Sequence, residues 1–350
     1  MARWFSRLSR LSRLSRLSRL SRRRGRNKRW IYGISALLII ILVVFICGRY
    51  PFSREEATES SVDIGMPEMG ETIPPVSASE PEPNLLEAEI TPTAEPNPEV
   101  AQLIDEAMEL LNTKPAQIIE ARDRLNETLP LAMSSQQRAF VKEQLLKLAD
   151  KWLFSRTIFP EDRLSGAYEV KPGDRLSTIG KQFKVPYEIL LEINNINRPE
   201  ALQAGEMIKV INGPFHARIY RSTFTMDLYL QNTFVRSFPV GLGKPGMETP
   251  TGLWAVKAGG KLIKPSWTDP ISGKRYEADD PDYPLGSRWV GLEGLSGDAV
   301  GRTGFAIHGT KNPEEIGTTG SQGCVRLHNG DAILVYSLVV PVYSRVEIVE

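Results

Sequence analysis

Residue types able to carry covalent chemistry are few in this 350-residue chain, which holds three histidines and two cysteines. His308 ends an apolar run, FAIH, and Cys324 follows sixteen positions later, after a stretch rich in Gly and Thr. Gly320, Ser321 and Gly323 surround the thiol with residues that permit tight turns and close backbone approach. Nucleophilic acyl transfer needs a thiolate, a base that takes its proton and returns it to a leaving amine, and donors for the developing oxyanion. Cys324 suits the nucleophile, His308 the base and later the acid, and backbone N–H groups near Cys324 the donors. A protonated imidazole beside the thiol is expected to lower its ionisation below the ordinary value of about 8.5. Three inert readings compete: a buried core thiol, a satisfied histidine at a strand end, and a zinc site built from Cys324, His308, His328 and His216. The spacings match no familiar zinc pattern, and the flanking glycines favour a reactive thiol. Residue types alone leave all three open.

A framework must position these side chains. Downstream of Gly213 the runs HARIYRS, MDLYL, TFVRSFPV, GLWAVKA, RWVGL, GFAIH and SRVEIV read as strands, predicting a mainly β domain over residues 213–350. Gln231-Asn232 suits a tight hairpin connection. Asn329 is expected to cap a helix that carries Ile333, Leu334 and Tyr336. From Gly259 to Pro284 the strand pattern fades, which marks a place for a substrate-covering flap.

The arrangement HGT…SxGCxR, present as HGTKNPEEIGTTGSQGCVRL, resembles the signature of L,D-transpeptidases of the YkuD type. MDLYLQNTFVRSFPVGLG is similar to that family's opening hairpin, and METPTGLW and DPDYPLGSRWVGL extend the likeness over about Gly213 to Glu350. The resemblance implies that Cys324 is the nucleophile and His308 the proton donor and acceptor, oriented by the backbone carbonyl of Gly309. It implies that Ser321, Gly323 and Arg326 shape the oxyanion hole and bind substrate. Gln322 departs from the pattern, since many members carry a second histidine there. The implied chemistry is attack on the third residue of a peptidoglycan stem, release of terminal D-alanine, and resolution of a thioester by an amine to form a 3→3 cross-link. No metal or organic cofactor is expected. Resolution by water would make a carboxypeptidase or hydrolase, and a silent enzyme domain would leave a wall-binding tether.

Residues 167–212 read strand, helix, helix, strand. AYEV is a strand, KPGD a turn, Asp174 a cap for a helix through Phe183, Pro186 the first position of a second helix through Asn194, and MIKVI the closing strand. Val170, Leu176, Ile179, Leu190, Ile193 and Ile208 are the expected core. The stretch YEVKPGDRLSTIGKQFKVPYEILLEINNINRPEALQAGEMIKVI resembles a LysM module. That likeness implies binding of N-acetylglucosamine-containing glycan between Asp174, Arg175, Leu176 and Ser177 on one wall and Asn197, Pro199 and Ala201 on the other.

Upstream, residues 99–160 carry three helical stripes. They are Val100, Leu103, Ile104, Met108 and Leu111; Ile118, Ala121, Leu125 and Leu129; and Phe140, Val141, Leu145, Leu148 and Trp152. Pro115 and Ser134-Ser135 mark the starts of the second and third helices. Residues 49–98 are acidic and hold nine prolines from Pro51 on, the composition of a disordered tether. Ile31 to Cys47 is charge-free, and about 1.5 Å of rise per residue lets residues 30–48 span a hydrocarbon core. The first 29 residues, with a repeated Ser-Arg-Leu, hold twelve Lys/Arg and no acid, the charge asymmetry of a cytoplasmic N-terminus. Residues 101–350 carry 29 bases against 30 acids, which argues against a nucleic-acid partner. Two cysteines exclude a disulfide framework. The expected protein is multidomain: a single transmembrane helix, a small α-helical segment, a βααβ LysM module and a mainly β catalytic domain. It is anchored in the cytoplasmic membrane through inner-membrane lipid, with its enzyme outside the cytoplasm against peptidoglycan.

Overall fold

The computed structural model describes residue 93 and residues 95–350. The basic tail and the apolar run of residues 30–48 lie outside them, and no helix among the described residues is long and apolar enough to cross a membrane. Three helices come first, α1 (Pro98–Asn112), α2 (Ile118–Thr128) and α3 (Ser135–Trp152). Asn97 accepts the N–H of Glu99 to cap α1, and Ser134 with Gln137 forms a reciprocal capping box that starts α3. The helices bury Val100, Ala107, Ala121, Leu125, Val141, Leu145, Leu148 and Trp152. Phe140, placed in the third stripe by its spacing, is instead exposed, because the buried face of α3 runs through Val141, Leu145 and Leu148.

The next unit pairs β1 (Ser165–Glu169) antiparallel with β2 (Met207–Ile211), enclosing α4 (Leu176–Gln182) and α5 (Tyr187–Ile193). All six expected core residues are buried. Two local readings need correction. Asp174 does not cap α4: its carboxylate accepts the N–H of Lys171 and the hydroxyl of Tyr168, closing the turn, while Arg175 occupies the cap position. Pro186 sits at the cap of α5 and Tyr187 opens the helix.

The remaining strands build one eight-stranded sheet. They are β3 (Phe215–Tyr220), β4 (Thr225–Leu230), β5 (Thr233–Pro239), β7 (Gly252–Leu262), β10 (Trp289–Gly294), β11 (Ala306–His308), β13 (Val325–Arg326) and β14 (Arg345–Val349), in the order β13-β11-β10-β7-β14-β3-β4-β5. The β11/β13 and β14/β3 pairs are parallel and the others antiparallel. Two short pairs lie outside it: β6 (Leu242–Gly243) with β12 (Thr319–Ser321), and β8 (Trp267–Thr268) with β9 (Arg275–Tyr276). The stretch after Gly259 is thus partly ordered strand, since β7 runs to Leu262 before the β8–β9 hairpin. Helix α6 (Asn329–Leu338) is capped by His328, so Asn329 lies inside its first turn and its side chain is free for another task.

An edge strand presents unpaired N–H and C=O groups that must be covered. β5 is such an edge, and the helical unit covers it. Asn126 accepts the N–H of Phe234 at 2.9 Å and donates to the carbonyl of Asn232 at 3.2 Å, standing in for a neighbouring strand. Lys142 pairs with the fully buried Asp227 at 2.5 Å, and Arg236 with Asp150 at 3.0 Å. Lys209 of β2, itself buried, donates to the carbonyls of Trp152, Ser155 and Thr157. Helical unit, βααβ unit and sheet therefore share buried polar contacts.

Candidate active site

Sheet register brings the two reactive side chains together. His308 ends β11 and pairs across the parallel ladder with Arg326 of β13. Cys324 precedes β13 by one residue and stands two positions before Arg326, hence on the same face as His308. Strand spacing and a two-residue offset put their backbones about 8 Å apart.

His308 is 3 % exposed. Its Nδ1 lies 2.5 Å from the carbonyl oxygen of Gly309. A carbonyl only accepts, so Nδ1 carries the proton and Nε2 keeps the lone pair. Burial brings the imidazole down to about 4, against the opposing pull of the Gly309 and Leu285 backbone and with help from the Arg326 charge. Trp289, the register partner of His308 on β10, stacks on the ring with centroids 5.6 Å apart and planes inclined by 15°. Cys324, half-buried, points its thiol toward the Gly304 carbonyl at 3.8 Å. Burial raises that thiol to about 11, outweighing the Ala306 backbone and the Arg326 charge. Burial thus acts on the thiol against the lowering expected from a neighbouring imidazolium: desolvation penalises both charged forms and favours neutral thiol and neutral imidazole.

The turn carrying Cys324 is locked from within. Ser321 is buried, donates to the Cys324 carbonyl at 2.6 Å and accepts the Gly323 N–H at 3.0 Å, so it shapes the turn. Gly323 has φ +107°, and a Cβ there would stand 2.7 Å from the ring of Phe305. Its N–H is held by Ser321 and that of Arg326 by the Gly241 carbonyl at 2.8 Å. Arg326 is bound at 2.5 Å to Glu315, leaving its buried Nε without a partner. Gln322 faces away from this pair and donates at 3.1 Å to Asp269 on the β8–β9 hairpin. Hydrogen bonds from Ser272, Ile271 and Gln322 hold the Asp269 carboxyl down at about 2.

The zinc grouping does not form. His216 lies on β3, four strands from β11 and so about 19 Å away, where its Nδ1 accepts the Arg345 N–H at 3.1 Å. Among the described residues no three His, Cys, Asp or Glu side chains are arranged to hold a metal. The implied glycan residues lie in the βααβ unit, apart from the thiol. Arg175 and Ser177 are exposed before and within α4, and Asn197, Pro199 and Ala201 are exposed after α5. Leu176 is 1 % exposed and packs in the core, so its side chain cannot form a binding wall. Sequence reasoning missed Trp289, Glu315 and Asp269. Only the position of Trp289 in a strand was readable, because its partner belongs to another strand.

Residues 214–348 match the L,D-transpeptidase catalytic domain family, YkuD, and residues 168–210 match the LysM domain family. The YkuD protein of Bacillus subtilis is 32% identical over 188 residues, covering 52% of this chain and 97% of its own. The ErfK/SrfK protein of Escherichia coli is 31% identical over 200 residues, covering 53% of this chain and 56% of its own. Both are named as L,D-transpeptidases. An L,D-transpeptidase structure from Mycobacterium tuberculosis is 20% identical, covering 42% of this chain and 64% of its own, with a TM-score of 0.31 that carries no weight by itself.

Proposed function

The chain belongs to the L,D-transpeptidase family of the YkuD type, and we propose that it transfers acyl groups between peptidoglycan stems through a Cys324 thioester. One observation carries the reading: the imidazole proton is held on Nδ1 by Gly309, while the ladder pairs His308 with Arg326, two residues beyond Cys324. Nε2 takes the Sγ proton as sulfur attacks the carbonyl of the third stem residue. The tetrahedral intermediate collapses, the C–N bond breaks, and Nε2 returns the proton to the departing amine of D-alanine. An acceptor amine then loses its proton to Nε2, attacks the thioester carbonyl and expels the thiolate, which recovers that proton. The product is a 3→3 cross-link, and the protein ends unchanged.

The neutral resting pair suits this sequence. A thiolate parked in a desolvated site would be costly, whereas proton transfer concerted with attack creates charge only as the bond forms. LysM residues Arg175, Ser177, Asn197, Pro199 and Ala201 would hold glycan, raising the local concentration of stems. The charge-free run of residues 31–47 and the twelve upstream cations support a membrane anchor with the enzyme outside the cytoplasm.

The test is mass spectrometry of muropeptides incubated with the full chain in detergent. Cross-linked dimers with free D-alanine are expected from wild type and neither from Cys324→Ala. Release of D-alanine without dimers identifies a hydrolase; wall binding with neither product identifies a tether. Protease shaving of spheroplasts should clip the C-terminal domain; clipping of the N-terminus alone would reverse the topology.

A further inference from the structure

We propose that Asn329 is a positioning residue for the acyl-transfer base: its carboxamide bridges Ser287 and Thr310 against Gly309, whose carbonyl sets which nitrogen of His308 carries the proton. The inference rests on the reading of His308 as that base. Asn329 touches neither the thiol nor the imidazole in any hydrogen bond. Its Oδ1 accepts the Ser287 N–H at 2.9 Å and its Nδ2 donates to the Thr310 carbonyl at 2.9 Å. The Ser287 hydroxyl returns a bond to the Asn329 carbonyl at 3.0 Å, and the Gly309 N–H donates to the Arg288 carbonyl at 3.2 Å. The peptide bearing the Gly309 oxygen is thus bracketed: the peptide before it is held through the Gly309 N–H by Arg288, and the peptide after it through the Thr310 carbonyl by Asn329. Space has been cleared for this carboxamide twice. A Cβ on Gly309 would lie 2.2 Å from Asn329 Oδ1, and one on Gly286, at φ +65°, would also lie 2.2 Å from it. Trp289 restrains the ring plane by stacking, but stacking is blind to the tautomer. The Gly309 carbonyl holds the proton on Nδ1, with the Leu285 backbone also acting on the ring, and a neutral imidazole otherwise takes its proton on either nitrogen.

The experiment uses the full chain labelled with 15N-histidine and reads imidazole nitrogens by NMR, beside steady-state kinetics. His216 is an internal standard of the opposite tautomer, because its Nδ1 accepts an N–H. Wild-type His308 should show a proton on Nδ1 alone. Asn329→Asp keeps an acceptor for Ser287 and removes the donor to Thr310. It should bring up the Nε2–H form of His308 and lower kcat about ten- to a hundredfold with little change in KM, the scale for losing a group that orients a histidine. Ser287→Ala, a milder cut of the same clamp, should move both readouts the same way and serves if Asn329→Asp does not fold. A folded Asn329→Asp or Ser287→Ala protein that keeps the Nδ1–H form alone, or that changes KM and not kcat, overturns the proposal. His308→Gln separates the two ideas: full activity there would sink the base assignment, whatever the tautomer result.

Discussion

Desolvation of the reactive pair makes a kinetic prediction opposite in sign to that of a thiolate–imidazolium enzyme. With the thiol raised to about 11 and the imidazole lowered to about 4, both groups are neutral across the physiological range. At pH 7 roughly one Cys324 in ten thousand is then thiolate, against roughly one in a hundred for an unperturbed thiol. Iodoacetamide reads this directly, since it reacts with the thiolate and offers no leaving amine for His308 to protonate. In a Cys47→Ser background, alkylation of Cys324 at pH 7 should be about a hundredfold slower than that of free cysteine. It should climb about tenfold per pH unit from 7 to 9 without a plateau. Acylation by a stem peptide should stay level over the same range, because the proton passes to Nε2 within the reacting complex. His308→Gln should preserve the alkylation slope and lower acylation by about a hundredfold or more. An alkylation profile flat from pH 6 to 9, or a rate above that of free cysteine, would refute the neutral pair.

Three further outcomes follow from the structure. Lys142→Met removes the counter-charge of the buried Asp227 carboxylate and leaves it the Ser237 and Tyr229 hydroxyls; because Lys142 is partly exposed the cost should be about 3 kcal/mol, lowering the calorimetric Tm by roughly 6–12 °C, with most of it restored in Lys142→Met/Asp227→Asn. His216 and His308 are both held at about 4, below the unfolded value of 6.5, so the unfolded chain takes up protons that the folded one refuses. Stability should be complete above pH 6.5 and fall progressively toward pH 4, by up to about 3 kcal/mol per histidine, and a midpoint no more pH-dependent in wild type than in His216→Gln would contradict this. Gln322→Ala releases the β8–β9 hairpin from the nucleophile turn, so hydrogen exchange over residues 263–276 should quicken while acylation changes by no more than about threefold, as for a neutral hydrogen bond remote from the reacting atoms.

Composition and periodicity reach far in this chain. Alternation in HARIYRS, MDLYL and GLWAVKA marks strands because one face of a pleated strand must be apolar. The spacing of Leu145, Leu148 and Trp152 marks a helix for the same reason at another period. His308 and Cys324 stood out as candidates from residue type and glycine context, and the LysM core was legible from its apolar pattern. These features are local, set by neighbours within a few residues. What tertiary structure alone decided is everything settled by partners far apart in sequence. Asn329 reads as a helix cap from its surroundings, yet Ser287 and Thr310 recruit its carboxamide. Trp289 reads as one more strand residue until register sets it on His308. Burial pushes the Cys324 thiol up, and desolvation is a property of the closed site, summed over strands and loops that meet only when the sheet is assembled.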